Sequence, residues 1–173
     1  KRFDRGRERL AAIAGDLSRG PGRDPTTQIN PRVSARQQER VLGMIESGVA
    51  EGASVVCGGA RQGETGFYVQ PTILADVTPG MQVVREEIFG PVLVATPFDD
   101  LDEAVRLAND SIYGLGASIW SNDLRQVMDL VPRIKAGTVW VNAYNLLDPS
   151  MPFGGFKQSG NGREMGHAAI EAY

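Results

Sequence analysis

Two stretches of the chain carry side chains suited to gripping a flat, hydroxyl-bearing ligand. In Glu86-Glu87-Ile88-Phe89-Gly90-Pro91-Val92, a carboxylate can accept two hydrogen bonds from a vicinal diol such as a ribose, and a neighbouring aromatic ring can wall one face of a flat heterocycle. The same residues equally suit a solvated acidic pair followed by a core phenylalanine and a turn. In Pro152-Phe153-Gly154-Gly155-Phe156-Lys157-Gln158-Ser159-Gly160-Asn161-Gly162-Arg163-Glu164, the glycines permit close backbone approach, and Lys157, Ser159 and Arg163 are suited to tie the loop down by hydrogen bonds. Gly160-x-Gly162 is not a dinucleotide fingerprint, because it follows no strand pattern and lacks a third glycine.

Other chemistries find little support. The single cysteine, Cys57, ends the apolar run Ser54-Val55-Val56-Cys57 before Gly58-Gly59 with no basic partner near it in sequence, which suits a buried structural thiol rather than a nucleophile. One cysteine excludes an internal disulfide framework and multi-cysteine metal motifs, and the expected compartment is reducing, hence cytoplasmic. His167, the only histidine, has no neighbouring ligands for a metal, and no Gly-x-Ser-x-Gly elbow is present. The formal charge of -3 is too small to steer the chain toward nucleic acid or membrane. The basic opening Lys1-Arg2-Phe3-Asp4-Arg5-Gly6-Arg7-Glu8-Arg9 reads as the solvated face of a helix. No apolar run reaches membrane-spanning length, and no secretory leader pattern is apparent.

The elements that must position these stretches follow from periodicity and punctuation. Leu10, Ile13, Ala14 and Leu17 predict a helix over Arg5 to Leu17, stopped by Gly20-Pro21-Gly22. Ser34 three residues before Gln37 has capping-box spacing and starts a second helix through Val41, Met44, Ile45 and Val49 to about Ala50. Strands are expected at Ser54–Cys57, at the two sides of Pro71, at Val92–Ala95 as a buried strand, at Gly116–Trp120 and at Thr138–Val141. Helices are expected from Asp100 to about Asn109, with Asp100 and Glu103 opening it, and from Asn122 to Leu130. Strands alternating with helices imply an α/β fold with a largely parallel sheet flanked by helices, and 173 residues suit one compact domain, 1–173. From Asn142 to Gly166 the chain reads as a loop built for contact.

With Asn109-x-x-x-Tyr113-Gly114-Leu115, Gly137-Thr138-Val139-Trp140-Val141-Asn142 and Gly66-Phe67-Tyr68-Val69-Gln70-Pro71-Thr72, the two stretches resemble the aldehyde dehydrogenase superfamily, from about Phe3 to Tyr173. The resemblance implies the catalytic-domain fold of that family and a portion of its C-terminal part, with the cofactor domain, the catalytic cysteine, the water-activating glutamate and the oxyanion donors all lying before Lys1. On this reading the isolated chain is inactive, and the intact parent uses NAD or NADP. It implies that Glu87 holds the hydroxyls of the nicotinamide-side ribose and Phe89 packs beside the nicotinamide. Gln37 and Arg40 match positions that reach the cofactor ribose or adjoining groups, although Gln37 also suits a cap and Arg40 a solvated helix surface. Leu147 and Phe153 match positions lining the tunnel by which the aldehyde arrives, although both also suit core packing, and Leu147-Asp148-Pro149-Ser150-Met151-Pro152 is most similar to phenylacetaldehyde dehydrogenases. The implied substrate is an apolar or aromatic aldehyde, and the implied assembly a homo-oligomer, dimer or tetramer. The rival expectation is a non-catalytic binding or oligomerisation module of the same fold.

Overall fold

In the computed structural model residues 2–172 are described; Lys1, which opens the basic run, and Tyr173, which ends the resemblance, lie outside them. The described chain divides into two compact units, 1–97 and 98–173.

The first unit contains α1 (Arg2–Asp16), α2 (Ala35–Ala50), β1 (Ser54–Cys57), β2 (Thr72–Ala75), α3 (Gln82–Arg85) and β3 (Val92–Val94). Its sheet has the order β1-β2-β3, with β1 antiparallel and β3 parallel to β2. Helix α2 begins as its sequence predicts: Ser34 is extended and its Oγ accepts the Gln37 backbone N–H at 3.2 Å. Its apolar stripe, Val41, Met44 and Ile45, packs with Val69, Leu74, Val83 and Ile88 into one core in which Val41 and Leu74 are wholly buried. Two polar side chains share this interior and both are satisfied. Gln38 Nε2 donates to Tyr68 O at 2.7 Å, and Thr72 Oγ1 donates to Gln70 O while accepting from Gly59 N.

Burial runs differently along the strands than the sequence suggests. Val92–Ala95 is expected to be a buried strand, yet β3 ends at Val94 and its Leu93 is 43% exposed, because β3 sits at the sheet edge. The central β2 is the strand buried at every residue, and Pro71 stands just before it, where the lost N–H breaks no ladder bond. On α1, Ala14 is buried but Leu10 and Ile13 remain half-exposed, lining with Ile73, Pro91 and Leu93 an open apolar hollow of about 340 Å³.

The second unit contains α4 (Leu101–Asn109), β4 (Tyr113–Gly114), β5 (Gly116–Ile119), α5 (Leu124–Leu130), β6 (Thr138–Val141) and β7 (Phe156–Lys157). Strands β5 and β6 pair in parallel across the α5 connection, and β4 pairs antiparallel with β7. Asp100 Oδ1 caps α4 by accepting from Glu103 N, and Asp123 Oδ1 caps α5 by accepting from Arg125 N and Gln126 N. The Arg133 guanidinium bonds to Asp102 of α4 and Asp129 of α5, and these bonds raise its pKa. With helices and parallel pairs in each unit, the chain is of the α/β class. Among the described residues no helix is long and apolar enough to cross a membrane.

Candidate functional site

Two side chains of α2 hold the loop that follows α3. Gln37 Nε2 donates to Phe89 O at 3.0 Å, and Arg40 Nη1 donates to both Glu87 O and Ile88 O at 3.0 Å. Residues three apart on a helix share a face, so one turn of α2 satisfies three successive carbonyls. Gln37 therefore contributes its backbone N–H to the Ser34 cap while its side chain reaches across to the loop. Arg40 is exposed, as a solvated helix residue would be, yet it too is engaged.

The loop has a second anchor in the core. Ile88 is buried at 7% exposure beside Val41, and a β-carbon on Gly90 would lie 2.7 Å from a Val41 methyl, so only glycine lets the chain come this close. Between these anchors Phe89 adopts φ +56°, a left-handed conformation that costs a non-glycine residue about 1–2 kcal/mol. The carbonyl bonds and the buried neighbours enforce it. Backbone and core thus do the holding, and the two side chains are left over. Phe89 is 70% exposed, and the carboxylate of the exposed Glu87 has no hydrogen-bond or ion-pair partner among the described residues. A partnerless carboxylate can accept from both hydroxyls of a diol, and an open ring face can receive a flat heterocycle. Glu86 points its carboxylate elsewhere, accepting from Gln82 Nε2 at 3.1 Å.

In the second unit the glycine-rich segment is tied down by the three side chains expected to do so. Lys157, at φ +56°, donates from Nζ to Asn109 O and Ser111 O; Ser159 Oγ accepts from Gly114 N; Arg163 Nη1 donates to Gly155, Asn161 and Gly162 carbonyls and its guanidinium sits 4.8 Å above the Phe156 ring. Asn109 completes this knot, with Nδ2 donating to Arg133 O and Oδ1 accepting from Lys135 N. Phe153 and the loop that carries Leu147 both meet one ring, that of Trp140. Trp140 of β6 packs against Phe153 at 6.3 Å between centroids and against Tyr144 at 5.6 Å, and its Nε1 donates to Leu146 O, the carbonyl of the peptide bond leading into Leu147, at 2.8 Å. Leu147 is 42% exposed and Phe153 half-buried; Phe153 also borders, with Leu115 and Arg163, an open hollow of about 590 Å³. Beyond Leu147 the chain turns on Asp148, whose Oδ1 accepts from Ser150 Oγ at 2.7 Å and Ser150 N at 2.8 Å. These bonds, the hydroxyl's first, hold its carboxyl below the usual carboxylate range.

Among the predicted site residues, Gln37, Arg40, Glu87 and Phe89 converge on one loop, while Trp140 meets Phe153 and the Leu146 carbonyl just before Leu147. Reading the sequence singled out the motif containing Trp140 but gave that residue no role; the pairing of an indole with a nearby apolar loop was the available signal. Cys57 is half-buried rather than buried, its Sγ 3.8 Å from Pro71 O at a β1 bulge. His167 is exposed in a terminal 3-10 turn. No cluster of three metal-ligating side chains occurs among the described residues.

These features coincide with a full-length family match: the aldehyde dehydrogenase family profile covers residues 1–173, and the chain belongs to that family. It is similar to the phenylacetaldehyde dehydrogenase of Pseudomonas fluorescens, 48% identical over 168 residues that make up 96% of this chain and 34% of the relative. The mitochondrial aldehyde dehydrogenase of Leishmania tarentolae is also 48% identical, over 99% of this chain and 34% of its own length. Among solved structures, an NAD+ complex of an aldehyde dehydrogenase from Bacillus cereus superposes with a TM-score of 0.96 at 46% identity, covering 99% of this chain and 35% of that one. The chain thus spans about a third of the length of these relatives.

Proposed function

We propose that residues 1–173 form a portion of one catalytic domain in an NAD(P)-dependent aldehyde dehydrogenase that oxidises an apolar or aromatic aldehyde to its carboxylic acid. The observation that carries this reading is the Glu87–Phe89 loop, where two groups suited to a nicotinamide riboside are held open by bonds that use neither of them. Glu87 accepts hydrogen bonds from the ribose diol, and Phe89 bounds the face of the nicotinamide. Gln37 and Arg40 act on the same ligand, either by direct contact or through the loop carbonyls they hold. NAD(P), when bound, supplies the acceptor for the aldehyde's hydride. The Bacillus cereus relative was solved with NAD+, which favours NAD over NADP.

The nucleophile comes from outside these residues, since Cys57 is a half-buried strand thiol whose Sγ contacts the Pro71 carbonyl. Leu147 and Phe153 supply apolar walls for the aldehyde, and the likeness to a phenylacetaldehyde dehydrogenase supports an aromatic one. The parent is read as a cytoplasmic homo-oligomer, dimer or tetramer, with neither nucleic acid nor membrane as a partner. The decisive experiment is Glu87→Gln in the intact enzyme, followed by single-turnover hydride transfer. A misplaced nicotinamide slows that step on the order of a hundredfold, and an unchanged rate overturns the assignment. The chain 1–173 alone is expected to form no NADH from aldehyde; measurable turnover would contradict an external nucleophile.

A further inference from the structure

We propose that Trp140 sets the aldehyde preference as a positioning residue, by locking the Leu146–Leu147 loop and Phe153 into one apolar wall. The inference rests on the reading that Leu147 and Phe153 face the aldehyde, and it adds a determinant that neither residue supplies alone. Three contacts carry it. The indole N–H donates to Leu146 O at 2.8 Å, closing a six-residue span from β6 to the loop. The indole packs against Tyr144 at 5.6 Å and 60° and against Phe153 at 6.3 Å and 34°, within the range of favourable tilted ring pairs.

The third contact fixes the indole itself. Trp140 pairs with Ser118 across the β5–β6 ladder, and a β-carbon on Gly116 of β5 would lie 2.9 Å from Trp140 Cζ3. Gly116 is therefore the space into which the indole fits, and the ring cannot shift toward β5. Tyr144 and Leu146 are 70% and 72% exposed, so little burial holds their loop; beside the indole bond it has the Ser118 Oγ bond to Ala143 O at 2.6 Å. A rigid ring with few rotatable bonds, braced on a strand, gives that loop one position relative to Phe153. A flat aromatic aldehyde gains from a wall of fixed spacing, whereas a two-carbon aldehyde touches too little of it to notice.

The test uses the intact enzyme and compares kcat/KM for phenylacetaldehyde with kcat/KM for acetaldehyde. Trp140→Phe keeps a ring and loses the N–H. It is expected to lower the aromatic preference about tenfold, mainly through the KM for phenylacetaldehyde, with the KM for NAD unchanged. Gly116→Ala, which crowds the indole without removing it, shifts the ratio the same way and serves as the readout if Trp140→Phe does not fold. A general loss of structure would instead lower both aldehydes and NAD together, and that outcome overturns the proposal. Phe153→Ala separates this inference from the reading beneath it. If Phe153→Ala leaves the ratio unaltered, the wall itself is misassigned; if it changes the ratio while Trp140→Phe and Gly116→Ala do not, only the role of Trp140 falls.

Discussion

The first unit holds its Glu87–Phe89 loop against a consolidated core, whereas the second holds its loops with polar knots and one indole. All ten residues of the buried cluster, from Val41 to Ile88, lie within residues 1–97; among the described residues of the second unit only Val127 and Leu130 are buried hydrophobics. Burial is non-directional and tolerates some drift, but hydrogen bonds and ring contacts specify particular atoms. The first unit therefore gains rigidity from packing and spends its polar contacts on loop carbonyls. In the second unit the contacts of Asn109, Lys157, Ser159 and Arg163 take over work that a core would otherwise do.

The sharpest way to break this contrast is in the core. Leu74→Ala, at a residue with no exposure, is expected to cost about 2–5 kcal/mol in chemical denaturation; a loss below 1 kcal/mol would mean that the first unit does not depend on packing. Asn109→Ala should cost the second unit less, about 1–3 kcal/mol, because it orphans the Arg133 carbonyl and the Lys135 N–H. Hydrogen exchange should localise that loss to residues 98–173, and protection left intact there would remove the knot from the account. Ser34→Ala tests a local feature and is expected to cost about 1 kcal/mol, read as a lower midpoint with an unchanged denaturant slope.

The smallest effect concerns pH. The Asp148 carboxyl is held below its ordinary value by its bonds from Ser150, so the turn's stabilisation is fully present above the unfolded value near 3.8 and disappears as pH falls through the lower folded value. The Ser150 amide should keep its exchange protection from pH 7 to pH 4 and lose it only in stronger acid. Protection that fades between pH 6 and 5 would point to a different group.

The same contrast explains what was legible in the sequence. Helix α2 was readable because its apolar spacing and the Ser34 cap are local, and Asp100 announced α4 for the same reason. The four-residue α3 was not, since its first amide, Gln82 N, is capped by the Glu51 carboxylate from far along the chain, and no residue beside it signals a start. The burial of β2 depends on lying between two partners, which its own residues do not encode. At the site, residue types pointed to Glu87 and Phe89, while the grip of Gln37 and Arg40 on carbonyls some fifty residues away follows only from the fold. The second unit was legible as a motif with tie-down residues, but the central place of Trp140 was not.

The contact between Gly90 and Val41 also bears on how this protein can be altered. Core positions are the usual place to look for stabilising, volume-filling substitutions, and a wholly buried valine is an obvious target. Here an enlarged side chain would press on the glycine directly after Phe89, so a library selected for heat resistance at position 41 would also be selecting among geometries of the Glu87–Phe89 loop. Thermal tolerance and the shape of that loop are not independent traits at that residue, and variants should be screened for both at once.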